Sequence, residues 1–340
     1  MSQAEDQPWF LSNFEYGSGI AALHMEIEHF YNYIVNTRTE YMMRLEAVQR
    51  IENLLLGLWP EVSIEVFGSF RTGLNLPISD IDIAVNQFCC HGCGPLMELK
   101  AALIKRGIAT DVLVLDKASV PVVKFTEHIT QIKFDISFNK TTGVKAAELI
   151  QRYIEQFPEL PKLVIVLKQF LMLRGLNEVY STGGISSYAI TLMCISFLQQ
   201  HSSKNDNKLG RLLLKFLEFY GRKFDYFKYG ISVRGRVEKC VLQATLGEYN
   251  WLSVLTIEDP ITPTNDIGRS SFAALDVKKS FEIAFLKLSK LVDLDSSKVS
   301  GSMLGSIVQV PLSVINYRNW VQLKFRHLTS NGTTPPLNVL

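Results

Sequence analysis

Three aspartates and a glycine–serine pair carry the most chemically suggestive spacing in this chain. Asp80 and Asp82 stand one residue apart at the opening of an apolar run, PISDIDIAV. Side chains alternate faces along a strand, so both carboxylates point one way while Ile81, Ile83 and Val85 enter a core. Two carboxylates in one small volume repel each other, and a divalent cation is the usual remedy. The run at 129–138, ITQIKFDISF, alternates in the same manner. Ile132, Phe134, Ile136 and Phe138 turn inward, and Lys133, Asp135 and Ser137 share the other face, which makes Asp135 available as a third carboxylate. Gly68-Ser69, just after an earlier β-type run, supplies N–H groups and a hydroxyl against which a phosphate can lie. A DxD pair alone also occurs on solvated strand edges. The third aspartate in a matching context favours a metal-dependent phosphoryl-transfer site.

The elements that must hold these residues follow from periodicity. Residues 62–67 and 81–85 read as strands around the Gly-Ser turn, 112–115 as a further strand, and 120–125 and 129–138 as a strand pair with a turn at 126–128. Helices are expected at 18–35, 39–58, 97–106 and 145–157, with Asn139 to Gly143 a loop before the last of these. Pro161 opens and Gly175 closes another, PKLVIVLKQFLMLRG, apolar on most sides and therefore buried, with Lys168 interrupting it. Ser186 or Ser187 serves as N-cap of the apolar helix that follows. An amphipathic helix is expected at 208–223, extended chain at 224–233, a strand at 252–257 and a helix at 274–292. From Asp293 on, composition drifts to Ser and Gly, then to a short apolar patch at 307–323 and an ending that reads as disordered.

With 340 residues, of which 47% are apolar and 20% charged, the chain is an ordinary globular composition long enough for two domains. A net charge of +2 does not describe a strongly basic nucleic-acid binder. The densest basic neighbourhood, Arg222, Lys223, Lys228, Arg234, Arg236 and Lys239, reads first as a solvated face and second as a place for RNA phosphates. The five cysteines are odd in number, no signal-type opening precedes them, and no apolar run approaches the roughly 18 residues a membrane span needs, so a reduced, intracellular, soluble protein is expected. Cys89-Cys90-His91-Gly92-Cys93 lacks the second ligand pair of a structural zinc site and reads as a surface turn. GSFRTG lacks the closing GK[ST] of a P-loop, which excludes a P-loop kinase.

Taken together, FGSFRTGLNLPISDIDIAV, VLDKASVPVVKF, FDISFN and IEDPITPTNDIGRSSFAAL resemble the template-independent poly(A) RNA polymerases of the topoisomerase-related-function type, within the polymerase-β-like nucleotidyltransferase superfamily. The likeness runs over about residues 8 to 292. It implies an α+β fold: a nucleotidyltransferase domain with a mixed sheet at 36–148, a mainly helical central domain from 18–35 and 149–292 that carries a nucleotide-recognition loop, a cleft between them, and a partly disordered tail at 293–340. It implies addition of AMP from ATP to RNA 3′ ends, with Asp80, Asp82 and Asp135 catalytic and holding two Mg²⁺ or Mn²⁺ ions. The nucleotide-binding residues carried over are Gly68, Ser69, Gly143, Lys168, Ser187, Tyr188, Asn265 and Arg269. Lys168 and the Ser187 hydroxyl would meet phosphate, Gly143 would let backbone approach the nucleotide, and the Tyr188 ring would stack on the base, an interaction worth roughly 1–3 kcal/mol that does not choose between bases. Asn265 would face the base edge and Arg269 would brace the loop or reach the nucleotide.

The sequence departs from some relatives at Met172, where a second lysine one turn after Lys168 is absent. Uridylate-preferring relatives usually carry histidine at the position of Asn265, so the asparagine favours ATP. A terminal uridylyltransferase and a catalytically silent RNA-processing scaffold stay open as alternatives. No RRM, KH or C₂H₂ pattern and no template-binding device is visible, so the resemblance implies an RNA-binding adaptor of zinc-knuckle type and an RNA helicase as partners, no membrane, and work in RNA surveillance, processing or turnover in the nucleus ahead of the cytoplasm.

Overall fold

A computed structural model describes residues 7–87, 94–118, 120–201, 208–246, 253–294 and 301–330. The cysteine-rich stretch at 89–93, most of the polar loop at 201–207 and residues 331–340 lie outside them. Along the chain come α1 (Gly19–Ile34), α2 (Arg38–Leu58), β1 (Ser63–Phe67), α3 (Gly68–Thr72), β2 (Ile81–Asn86), α4 (Gly94–Lys105), β3 (Ala109–Leu115), β4 (Val122–Glu127), β5 (Lys133–Phe138) and α5 (Thr142–Gln156). Then follow α6 (Leu160–Met172), α7 (Val179–Thr182), α8 (Ser187–His201), α9 (Leu209–Glu218), β6 (Tyr229–Ser232), β7 (Gly235–Glu238), α10 (Lys239–Leu246), α11 (Ala274–Val292), α12 (Leu312–Lys324) and α13 (His327–Ser330). The chain groups into two units, Val35–Gln151 with Ser313–Leu340, and Met1–Ile34 with Arg152–Leu312.

The first unit is built on a five-stranded sheet of order β1-β2-β5-β4-β3. Only β2 and β5 run parallel, so the sheet is mixed, as an α+β fold requires. One face is apolar because every second residue is: Ile81, Ile83 and Val85 of β2 and Phe134 and Ile136 of β5 pack with Met43, Ala47, Val48, Ile51, Leu54 and Leu55 of α2. That helix starts cleanly. The Thr37 hydroxyl accepts from the Glu40 N–H at 3.2 Å and Glu40 Oε2 accepts from the Thr37 N–H at 2.7 Å, a reciprocal cap.

Expected as the beginning of a tail, the described part of the C-terminal segment instead forms a single 3₁₀ turn at Leu304–Ser306 and then α12 and α13. Val321 and Phe325 belong to the same core as the sheet. The helical stripe Val314, Arg318, Val321, Phe325 was hard to read because an arginine sits in it. Arg318 is buried and meets the buried Glu40 carboxylate at 2.8 and 2.9 Å, while its Nη2 also donates to the Val35 carbonyl at 3.0 Å.

In the second unit, α6 and α8 are buried nearly all round. Phe170, Phe197, Phe216 and Phe281 form successive ring contacts at 5.4 to 5.8 Å. Trp9 is buried edge-on against Phe30 at 5.1 Å, so the PWF segment is pinned to α1. The Glu26 carboxylate of α1, pushed up in pKa by burial, accepts from Met303 and Leu304 N–H at 3.0 and 2.8 Å and from the Ser302 hydroxyl.

Several boundaries differ from expectation for local reasons. The helix expected to run to Lys223 is α-helical only to Glu218 and widens to a π turn at Phe219–Lys223. Asp225 Oδ1 accepts from the N–H groups of Phe227 and Lys228, which makes a turn where extended chain was expected and delays the strand to Tyr229. In the stretch read as a strand at 252–257, Leu252 lies outside the described residues and Ile257 makes a lone bridge to Ile231. The helix expected from Lys145 begins at Thr142 and takes Gly143 into its first turn.

Removing one partner of a buried ion pair leaves the other charge uncompensated. Arg318→Met is therefore expected to lower the unfolding free energy by about 3–5 kcal/mol in urea denaturation. A change under about 1 kcal/mol would mean that α12 does not hold the sheet unit together.

Candidate functional site

The parallel pairing of β2 with β5 sets Asp82 directly beside Asp135. Residues paired in register share a face, so the two carboxylates project from neighbouring strands on the side opposite the core. On the far side of β5, Lys124 of β4 is the register partner of Asp135, and its ammonium is bonded to Asp135 Oδ2. Burial pulls the Lys124 pKa down, but Asp135, Asp80 and Asp82 together more than offset it and hold the ammonium above the ordinary lysine value. All three carboxylates thus act on one lysine charge.

β1 closes the other side, with Phe67 opposite Asp82. Gly68 follows at φ +67°, and a Cβ there would sit 2.0 Å from Asp82 Oδ2. Glycine is required twice over, by the backbone and by the carboxylate lying against it. Ser69 is half-buried in the single helical turn α3. Gly143 has a structural reason of its own: a Cβ would meet the Phe67 ring at 2.6 Å, so the first turn of α5 rests on the residue that leads into Gly68.

Asp80 precedes β2 in a loop fixed from below. The buried Arg44 guanidinium of α2 donates to the carbonyls of Pro77 and Ser79 at 2.6 and 2.9 Å. Leu76 N–H donates to the Ser79 hydroxyl at 3.0 Å. Among the described residues, no three acidic, histidine or cysteine side chains stand close enough to share one ion in this conformation. The donor set is nonetheless all carboxylate oxygen, the chemistry that suits a hard divalent cation.

The second unit holds the other predicted residues. Lys168 is 6% exposed on α6. Ser186 caps α8 by accepting from the Ala189 N–H at 3.1 Å, which leaves Ser187 exposed in the first helical turn. Tyr188 donates from its hydroxyl to Asp259 Oδ1 at 3.5 Å, and burial followed by the Asp259 charge raises its pKa well above the ordinary tyrosine value. Asp259 also accepts from the Ile261 N–H and from Asn265 Nδ2, both at 2.9 Å. Tyr188 and Asn265, 77 positions apart, therefore meet on one buried acid.

Arg269 is exposed, and Asp266 braces the recognition loop. Its carboxylate accepts from Ile257 and Gly268 N–H at 2.8 and 2.9 Å and from the Ser253 hydroxyl at 2.8 Å. Of the basic neighbourhood, Arg222 faces Glu282 at 3.6 Å, Lys223 faces Glu218 at 2.8 Å and Lys239 caps the Ser253 and Val254 carbonyls, an arrangement of a solvated face. Lys124, Arg44, Asp259 and Asp266 were not singled out from sequence. For Lys124 the signal was present: its alternation in VVKF matches that of Asp135.

A family model described as the central palm domain of mitochondrial-like poly(A) RNA polymerases matches residues 23–155, and one for Cid1 family poly A polymerases matches 208–265. A Drosophila melanogaster protein named inactive non-canonical poly(A) RNA polymerase protein Trf4-2 is 58% identical over 336 residues, covering 95% of this chain and 82% of its own length. The chain belongs to the non-canonical poly(A) RNA polymerase family. This family member is also 38% identical to the Schizosaccharomyces pombe poly(A) RNA polymerase cid14, over 80% of the chain but only 41% of cid14. The solved polymerase core of TRAMP, described as an RNA surveillance complex, superposes with a TM-score of 0.78 at 35% identity, over 88% of this chain and 98% of that one. A Cid1 poly(U) polymerase structure, with a TM-score of 0.69 at 21% identity over 81% and 96%, shares the fold.

Glycines 68 and 73 both have positive φ, but only the first has an obstacle where a Cβ would go. Gly73→Ala should cost about 1 kcal/mol of stability and Gly68→Ala more than about 2, read from urea unfolding of the two variants side by side. Equal costs would show that the Asp82 carboxylate moves aside freely.

Proposed function

We propose that this protein adds AMP from ATP to RNA 3′ ends without a template, as a polynucleotide adenylyltransferase. The observation that carries the reading is the register pairing of Asp82 with Asp135, with Gly68 pressed on Asp82 and Asp80 in electrostatic reach. Asp80, Asp82 and Asp135 would hold two Mg²⁺ or Mn²⁺ ions, which supply activation of the RNA 3′-hydroxyl and neutralisation of the departing pyrophosphate. Gly68-Ser69, Lys168 and Ser187 would bind the triphosphate, with Gly143 keeping Phe67 and Gly68 in place. Lys124, bonded to Asp135 from the neighbouring strand β4, would compensate part of the charge of the three carboxylates.

Tyr188 presents its ring to the base while Asp259 fixes its hydroxyl. The same acid settles which way Asn265 points. A carboxylate only accepts, so Nδ2 of Asn265 is turned to Asp259 and Oδ1 is turned away from it. An outward carbonyl oxygen suits the exocyclic amine of adenine and opposes the O4 acceptor of uracil, which supports ATP over UTP. Arg269, on the same loop, would reach the nucleotide.

A role in RNA surveillance is part of this reading and is supported by the likeness to the TRAMP core, described as part of an RNA surveillance complex. Nuclear placement, a zinc-knuckle RNA-binding adaptor and an RNA helicase complete it as what the sequence resemblance implies. Among the described residues no helix is long and apolar enough to cross a membrane.

One observation favours a second reading: the relative at 58% identity is named inactive. A chain that keeps the carboxylates but transfers no nucleotide would be a scaffold for RNA processing. Primer extension on oligo(A) with each of the four NTPs, in Mg²⁺ and in Mn²⁺, separates the two. The expected outcome is ATP incorporation by the natural chain and none by the Asp80→Ala, Asp82→Ala double variant, which should unfold at the same urea concentration or higher since carboxylate repulsion is relieved. No incorporation by the natural chain establishes the scaffold, and equal incorporation by the two proteins overturns the metal site at Asp80 and Asp82.

The amide orientation has its own measurement. Asp259→Ala releases Asn265 and Tyr188 together, and ATP preference over UTP in kcat/KM is expected to fall by about tenfold, equivalent to about 1.4 kcal/mol. An unchanged preference would place base selection elsewhere.

A further inference from the structure

Two aromatic rings stand in water on segments that meet at Gly183. Tyr180 of α7 is 84% exposed and Phe272, the residue after Ser271, is 74% exposed. Neither placement is accidental chain ending. The α7 turn is closed by Gly183 at φ +67°, whose N–H donates to the Val179 carbonyl at 3.0 Å, and Gly184 N–H donates to the Glu178 carbonyl at 2.9 Å. Gly183 is also where Phe272 lands: a Cβ there would lie 2.3 Å from the ring. The Ala273 N–H donates to the Gly183 carbonyl at 2.8 Å, so the contact is locked by backbone on both sides. One edge of the Phe272 ring is held against glycine backbone, and most of the ring faces solvent.

The position matters as much as the exposure. The Tyr180–Gly183 segment runs directly into Ser186, Ser187 and Tyr188, and Phe272 directly follows the loop that carries Asn265 and Arg269. An exposed ring precedes one stretch assigned above to the nucleotide and follows the other, and the two segments meet at Gly183. An aromatic held by its backbone contacts loses little freedom when a second flat group covers it.

We propose that Phe272 and Tyr180 form a base-stacking platform for the single-stranded RNA acceptor. The inference rests on the adenylyltransferase reading for its choice of ligand. Stacking accepts any base because every base has a π face, which is what an enzyme without a template needs behind its growing end. A leucine would fill the same volume on Gly183 but offer no flat face.

The test is equilibrium binding of a short labelled single-stranded oligo(A), followed by fluorescence anisotropy without NTP, beside an abasic oligomer of the same length. Phe272→Leu and Tyr180→Ala are each expected to weaken oligo(A) binding about tenfold, Phe272→Trp to stay within about twofold of the natural chain, and the abasic oligomer to bind all of them alike. Wild-type affinity in Phe272→Leu, or an equal loss for the abasic oligomer, overturns the platform and leaves the patch to a protein partner. Should the natural chain fail to extend primers while the oligo(A) losses persist, the platform stands and the catalytic reading fails. Extension with unaltered binding in both variants is the reverse case.

Discussion

The sheet unit is organised around a repulsion. Parallel pairing of β2 and β5 forces Asp82 and Asp135 side by side, and the loop before β2 adds Asp80. Nothing in local propensity favours this, since aspartate is poor in strands and like charges in register oppose pairing. What permits it in this conformation is the Lys124 ammonium, supplied by the antiparallel neighbour and kept charged by the very groups it compensates. The apolar face beneath, from Ile81 to Val85 and Phe134 to Ile136, supplies the burial that outweighs the remaining cost. An arrangement in which favourable packing below sustains unfavourable charge above is how sites for cations are generally held ready.

The second unit solves a different problem, that of orienting neutral polar groups. Asp259 is buried and receives three donors, from Tyr188, Asn265 and the backbone of Ile261. A carboxylate with several donors needs no counter-cation to be tolerated out of water. It turns an asparagine, whose two amide atoms look alike in shape, into a group with a defined acceptor side. Asp266 performs the corresponding service for the loop backbone, which frees Arg269 from structural work.

Much of this was legible in the residues. Period-two alternation put Asp82 and Asp135 on one strand face because a half-buried sheet enforces that period, whereas Asp80, read as the start of the same strand, lies in the loop before it. The Pro-start, Gly-stop signals bracketed α6. Residues whose role depends on a distant partner were not legible. Arg44 reads as an ordinary helix arginine until the loop at 77–79 is seen lying on it, and Asp259 reads as a turn acid before a proline until Tyr188 arrives from 71 positions earlier. Gly143 was noticed for its missing side chain, and the Phe67 ring against it is a neighbour that no local pattern announces. The C-terminal helices were read only as a short apolar patch in a tail, because the pairing that buries Arg318 is with Glu40, 278 residues away.

The return of α12 to the sheet unit has a consequence for biosynthesis. A ribosome delivers α2, the five strands and α4 early, yet Val321, Phe325 and Arg318, which complete their core and neutralise Glu40, leave the exit tunnel after the entire helical unit has emerged. Until then the sheet carries an open hydrophobic flank and an unmatched buried acid. The nascent chain must therefore finish its inserted unit first, and any premature stop between the two units yields a half-closed sheet, a natural client for chaperones.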